Sequence, residues 1–363
     1  MSDKIKEQDI KFMKSAIKEA EKGIGCTSPN PSVGCVIVKK GKIIGRGYHR
    51  GAGGPHAEIE AIKNAKKTPI AGSTIYITLE PCSTHGKTPP CSNAIINGGF
   101  KRVVFGINDP DPRHQGNSMQ ILRKQGIDVT TGVLSERCRR IIRPFTKRIL
   151  TGFPWVLVKA GMSLDGRLTR PGDEGQWITN EHAIKDTQNL RAEVDAIIIG
   201  SETLRKDDPL LTSRGMRNPE PLRVVFTKTL DLPEKSNLWV CDSAKTLVVY
   251  DSSTANKKFI KRIPECVEIE ALPSDNPKLL SNLLAKKGCN NVLWECGPIL
   301  ATAAMKAGCI QELMTFIAPK ILGGVSSMNP FSDFEFTDMD EVFNLNKPEI
   351  SFVGDDIFVK CTF

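Results

Sequence analysis

The sequence predicts an α/β protein of two domains, each a sheet flanked by helices. Three observations predict it. The chain has 363 residues, more than one ordinary domain holds. Short β-branched runs alternate with helical periodicity along its length. The alternation breaks once in mid-chain, at Thr151-Gly152-Phe153-Pro154. That break reads as a linker and divides the chain into 1–150 and 151–363.

In the first half Ile10, Met13, Ile17 and Ala20 recur at helical spacing and stop at Gly23. Residues 33–38 and 42–48 flank a Lys-Lys-Gly turn and read as a hairpin. A helix is expected after Pro55 with Ile59 and Ile62 inward, then a strand at 74–79. Pro89-Pro90 opens a further helix, followed by a strand at 102–107, a helix near 118–125 closed by Gly126, a strand at 127–133 and a basic helix at 135–149. Beyond the break, strands are expected at 155–161, 195–200, 222–227, 246–250, 267–272, 291–295, 311–318 and 350–362. Helices are expected near 179–193, 277–287 and 298–307. Residues 323–349, rich in Gly, Asn, Asp and Ser, read as a surface excursion.

Hydrophobic residues are 40% and charged residues 25%, ordinary globular usage that excludes wholesale disorder. Fifty Lys and Arg against 41 Asp and Glu leave +9, which suits anionic ligands such as phosphate esters and is thin ground for nucleic acid. No apolar run approaches the ~20 residues of a membrane span, and the first residues carry no signal-peptide core. Eleven cysteines in such a chain read as reduced thiols in a cytoplasm, some available to metal.

The sharpest motif is Pro55-His56-Ala57-Glu58, followed by Thr78-Leu79-Glu80-Pro81-Cys82 and Pro90-Cys91. One His and two Cys are the donor set of a catalytic zinc that keeps a fourth position for water. Helix N-termini at His56 and Cys91 favour thiolate, the metal-binding form. Glu58 lies too close in sequence to His56 to be a second ligand on the same face. It is placed to handle the proton of an attacking water, the arrangement of zinc deaminases. A structural zinc would instead need a fourth protein ligand, from His85, Cys35 or Cys26.

These residues, with Pro29-Asn30-Pro31-Ser32-Val33-Gly34-Cys35-Val36, Gly47-Tyr48-His49 and the eight residues between Cys82 and Cys91, resemble the bifunctional deaminase/reductase family of riboflavin biosynthesis. The resemblance runs over nearly the whole chain. It implies a cytidine-deaminase-like α/β/α first domain and a dihydrofolate-reductase-like second domain. It makes His56, Cys82 and Cys91 the zinc ligands, Glu58 the catalytic proton carrier, and Asn30, His49 and Lys87 contacts to the aminopyrimidine or its phosphate. Each of those three has a plainer reading, Asn30 as a turn-former and the others as solvated side chains. Thr84 stands where many relatives have His or another small polar residue and receives no role.

The second domain shows no Gly-x-Gly-x-x-Gly after a strand, so a standard dinucleotide-binding unit is not expected. Its segments 159–167, 176–179, 200–212 and 294–298 resemble the reductase half of the same family, which uses NADPH. The resemblance implies NADPH contacts at Gly161, Trp177, Thr203, Asp207 and the stretch Gly297, Pro298, Ile299, Leu300, Ala301, Thr302 and Ala303. It implies substrate contacts at Lys159, Gly175, Arg191, Leu211, Arg214 and Glu295, with Asp165 facing the sugar. Arginine suits a ribose phosphate because its guanidinium engages phosphate bidentately. Gly175 stands where relatives often have Ser, and Lys228 where they often have Ser at a strand end. The implied substrate is a phosphorylated pyrimidine, with no membrane or nucleic-acid partner, and the implied assembly is a homo-oligomer. A deaminase acting on nucleic acid and a zinc-stabilised binding module are the rival readings.

Overall fold

The computed structural model describes residues 6–65, 68–85, 89–112, 114–169, 177–242, 244–324 and 328–363. The chain separates into two compact units, Met1–Gly152 and Phe153–Phe363.

The first unit runs α1 (Glu7–Glu21), β1 (Gly34–Lys39), β2 (Lys42–Tyr48), α2 (Ala57–Asn64), β3 (Thr74–Leu79), α3 (Cys91–Asn97), β4 (Arg102–Ile107), α4 (Asn117–Lys124), β5 (Asp128–Thr131) and α5 (Ser135–Thr151). The sheet order is β2-β1-β3-β4-β5, with β1 antiparallel to both neighbours and the last three strands parallel. Strand alternation separates two cores. Cys35 and Ile37 of β1 face Ala57, Ala61, Ile95 and Leu122, whereas Val36 and Val38 face Phe12, Met13, Ala16 and Ile17. Beneath α1 a buried Asp9 accepts from both Arg102 terminal nitrogens, at 2.7 and 3.0 Å, and from the Tyr76 hydroxyl at 2.9 Å.

Glycines set how closely α2 approaches the hairpin. A Cβ on Gly47 would lie 2.3 Å from the Ala57 carbonyl oxygen and 2.4 Å from the Ala61 nitrogen. Of the two residues expected inward on α2, Ile62 is half-buried and packs on the core, while Ile59 is half-buried. The fully buried residues are Ala57, Glu58 and Ala61, the two alanines where the helix backbone touches the strand.

The second unit runs β6 (Trp155–Ser163), α6 (Glu181–Ala192), β7 (Ala196–Gly200), α7 (Ser201–Asp207), β8 (Leu222–Thr227), β9 (Thr246–Asp251), β10 (Glu268–Leu272), α8 (Pro277–Lys286), β11 (Asn291–Trp294), α9 (Pro298–Lys306), β12 (Glu312–Ala318), β13 (Asn346–Val353) and β14 (Asp356–Thr362). The order is β10-β9-β8-β7-β11-β6-β12-β14-β13. Strands β10 through β12 are mutually parallel, and the last two are antiparallel additions.

Three expectations change here. The run 350–362 is a hairpin that turns at Gly354, not one strand, and its first strand begins at Asn346. The helix α7 was not expected. Residues 323–349 are not wholly excursion, since Phe331 and Phe334 pack on the core. Parallel strands send their carboxyl ends to one edge of the sheet, the usual place for a ligand crevice.

Candidate active sites

In the first unit His56 caps α2, Cys91 opens α3, and Cys82 follows β3. Their donor atoms lie within 4.8 Å of one another, and among the described residues none of His85, Cys35 and Cys26 joins them. The His56 Nδ1 is 3.5 Å from the Cys82 sulfur and 3.3 Å from that of Cys91, and the Cys91 backbone N–H donates to the Cys82 sulfur at 3.2 Å. The Cys91 side-chain hydrogen bond and His56 push the Cys82 thiol down toward thiolate, while Cys91 is pushed up in return. Three soft-to-borderline donors, with no fourth protein ligand among the described residues, fit a catalytic zinc better than a structural one.

Glu58 lies on the first turn of α2, 3% exposed. Burial first, and then the negative charge of Cys82, raise its carboxyl to about 7. A carboxyl poised there exchanges protons readily at neutral pH. His49 is buried with both ring nitrogens engaged. Its Nδ1 donates to the Pro55 carbonyl at 3.0 Å, and its Nε2 accepts from the Asn30 side-chain amide at 3.0 Å. Burial keeps this ring neutral by lowering its pKa. It stands edge-on to His56, with centroids 5.5 Å apart. The structure thus brings Asn30 and His49 together beside His56. Lys87 lies outside the described residues.

The sequence reading missed two features. Glu80 holds the segment after β4 by accepting from the backbone N–H groups of Asp109, Gly116 and Ser118 and from the Ser118 hydroxyl, at 2.9–3.1 Å. That segment carries His114, whose Nδ1 lies 3.2 Å from the Thr84 hydroxyl, between the two cysteines. The Glu-Pro-Cys run flagged Glu80 only as part of a motif, and nothing local to His114 points to Thr84.

In the second unit Arg191 of α6 grips Glu295 with two hydrogen bonds of 2.6 and 2.8 Å, and both side chains are nearly buried, at 13% and 12% exposure. Burial would raise the Glu295 carboxyl, but the charge and hydrogen bonds of Arg191 outweigh it and hold it below its ordinary value. Lys159 of β6 is lowered by burial against the opposing pull of Glu295. Arg191 also donates to the carbonyl of Thr212 at 3.4 Å, which brings the 208–214 loop to the pair. In that loop Leu211 is buried in the core with φ +48°, so only its backbone is available, and Arg214 is exposed.

The expected cofactor residues separate. Gly161 lies on β6, Thr203 and Asp207 on α7, and Trp177 is 64% exposed. Gly297 caps α9 with no side-chain cap, which leaves the first-turn amides for an anion. The stretch to Ala303 narrows, because Ala301 and Thr302 turn their side chains into the core and the Ala301 N–H is used on the Gly297 carbonyl. Asp165 does not present a free carboxylate to a sugar. It accepts from Ser163 and from the Leu322 and Gly323 amides, which lower it to about 2. Lys228 is paired with Asp275 at 3.3 Å. Gly175 lies outside the described residues.

Comparison with known proteins agrees with both halves. The cytidine and deoxycytidylate deaminase zinc-binding region matches residues 6–107, and the RibD C-terminal domain matches residues 154–359. The riboflavin biosynthesis protein RibD of Synechocystis is 39% identical over 350 residues, covering 96% of this chain and 94% of its own. RibD of Escherichia coli K12 is 40% identical over 329 residues, covering 87% and 89%. The crystal structure of a diaminohydroxyphosphoribosylaminopyrimidine deaminase/5-amino-6-(5-phosphoribosylamino)uracil reductase from Thermotoga maritima aligns with a TM-score of 0.88 at 31% identity, over 98% of each chain. A structure of Acinetobacter baumannii RibD aligns at 0.86 and 33%, again over 98% of each.

Fold and site together define a two-part enzyme, a cytidine-deaminase-like unit joined to a dihydrofolate-reductase-like unit. The chain belongs to the RibD family, the bifunctional deaminase and reductase enzymes of riboflavin biosynthesis. No helix among the described residues is long and apolar enough to cross a membrane.

Proposed function

We propose that residues 1–150 deaminate 2,5-diamino-6-ribosylamino-4(3H)-pyrimidinone 5′-phosphate hydrolytically. We propose that residues 151–363 then reduce the ribosyl chain with NADPH, giving 5-amino-6-(ribitylamino)uracil 5′-phosphate. The observation that carries the reading is the buried Glu58 beside, and not part of, the His56/Cys82/Cys91 cluster.

Those three residues hold zinc, which when bound supplies Lewis-acid activation of water. Glu58 would take one proton from the attacking water and pass it to the ring nitrogen, then carry the proton of the added hydroxyl to the amino group, which leaves as ammonia while the C=O bond forms. The burial of Glu58 suits a carboxyl that both takes and gives protons. Asn30, His49 and Lys87 hold the aminopyrimidine or its phosphate.

In the second unit Gly161, Trp177, Thr203, Asp207 and Gly297–Leu300 would hold NADPH, which when bound would supply hydride chemistry for reduction at C1′. Arg191, Arg214, Glu295 and the Leu211 backbone hold the substrate. Glu295 is held ionised by Arg191 and has no proton to give, so Lys159 is the better donor for the completing proton. The same reading makes the chain a cytoplasmic homo-oligomer.

The test follows NADPH absorbance in zinc-loaded protein given the undeaminated pyrimidinone. Turnover is expected, together with its loss in Glu58→Gln and its rescue by pre-deaminated substrate. Ammonia release without NADPH oxidation would refute the reductase half, and NADPH oxidation that survives Glu58→Gln would refute the assigned proton carrier.

A further inference from the structure

Away from both sites, two cysteines of the second unit meet. The sulfur of Cys266 lies 2.8 Å from that of Cys241, inside the separation at which unbonded sulfurs rest. Both thiols also point at one carbonyl, that of Trp239, at 3.5 Å from Cys266 and 3.7 Å from Cys241.

The two backbones that carry them are held. Arg223, 1% exposed, donates to the carbonyls of Leu238, Val240 and Ala244, at 2.8–3.1 Å, and so fixes the loop around Cys241. On the other side the Val267 N–H closes a turn on the Pro264 carbonyl at 3.0 Å, and the Val267 side chain is buried. A disulfide has an S–S length of roughly 2.05 Å, so the pair closes by under an ångström. Cys266 is exposed and reachable from solution, whereas Cys241 is half-buried behind it.

We propose that Cys241 and Cys266 are a thiol-oxidation site that closes to a reversible disulfide with hydrogen peroxide as oxidant. The Cys266 sulfur attacks one peroxide oxygen and the O–O bond breaks. Water leaves, and Cys266 becomes the sulfenic acid. The Cys241 sulfur then attacks the Cys266 sulfur and the S–O bond breaks. The departing hydroxide takes the Cys241 proton as a second water. Peroxide is reduced by two electrons and the two thiols are oxidised by two.

The bond joins the segments that lead into β9 and β10. Both lie at the amino ends of parallel strands, opposite the carboxyl edge that holds Glu295 and Gly200. It therefore staples the short edge strand β10 without touching the reductase machinery.

The full-length chain is treated with hydrogen peroxide, blocked with N-ethylmaleimide, digested without reductant and mapped by mass spectrometry. The expected product is one peptide pair joined through Cys241 and Cys266 and separated by dithiothreitol. In Cys241→Ser, Cys266 is expected to pass on to sulfinic or sulfonic acid, since no second thiol captures the sulfenic acid. The linked protein is expected to melt about 5 °C higher in the second unit, with NADPH turnover unchanged. Wild-type protein in which Cys266 is over-oxidised while Cys241 remains open to maleimide would overturn the proposal. So would both thiols remaining open after peroxide treatment. A linked form that melts no higher would overturn the staple.

Discussion

Replacing Glu295 by Gln tests the central claim about the second unit, that Arg191 and Glu295 form one buried charge pair. The side chains are 13% and 12% exposed and joined by two short hydrogen bonds. Lys159 adds a third charge. In Glu295→Gln two cations are left with their principal anion removed. Breaking one partner of a buried pair costs about 3–5 kcal/mol. At roughly 2–4 °C per kcal/mol for a unit of this size, the melting temperature falls by about 6–20 °C.

The assay is specific, because the four tryptophans, at 155, 177, 239 and 294, all lie in the second unit. Tryptophan emission therefore follows that unit alone. The double variant Arg191→Met/Glu295→Gln distinguishes a lost pair from general damage. It removes both members, and Lys159, already lowered by burial, can shed its proton. It is expected to recover most of the single variant's loss while turnover stays absent. The reasoning is refuted if Glu295→Gln loses no more than the ~1 kcal/mol of an exposed ion pair. It is also refuted if the double variant loses the sum of the two singles.

Three further outcomes are expected. A Cβ at Gly47 has nowhere to go against the backbone of Ala57 and Ala61, so Gly47→Ala displaces the helix that carries His56 and Glu58; metal analysis should show less than one zinc per chain, and full occupancy would separate α2 packing from the metal centre. The Asp9 carboxyl sits below 3.8, because the hydrogen bonds from Arg102, Lys6 and Tyr76 outweigh burial. Its stabilisation is complete above 3.8 and is lost as pH falls through the lower folded value, so the urea midpoint of the first unit, read by circular dichroism, should fall with acid in that window and change less in Asp9→Asn. Stripping zinc with a chelator should end ammonia release and leave NADPH oxidation of pre-deaminated substrate intact; loss of both would tie the metal to the second site.

What the sequence made legible was local, and what it left out was set by partners far along the chain. The strands β1 to β4 announce themselves as β-branched runs bounded by glycine, and His56, Cys82 and Cys91, which the fold brings together, sit beside prolines at element ends. Helix α7 has seven residues, too few for a helical period to register. Strand β13 is exposed along nearly its whole length, so no alternation separates it from β14. In α2 the apolar pattern finds Ile62, which packs on the core, but the close approach of the β2 glycines to Ala57 and Ala61 has no signal in that pattern.

The site shows the same division. Resemblance named Lys159, Arg191 and Glu295 individually, yet Arg191 and Glu295 are 104 residues apart and no local signal pairs them. The strand order does so. Inserting β11 between β7 and β6 sets the residue after Trp294 beside Lys159 and beneath α6. His49 follows suit, since nothing in the sequence pairs it with Asn30, 19 residues away, whose amide its Nε2 meets. Residue type tells which chemistry is available, and topology decides which of those groups stays free to act on a substrate.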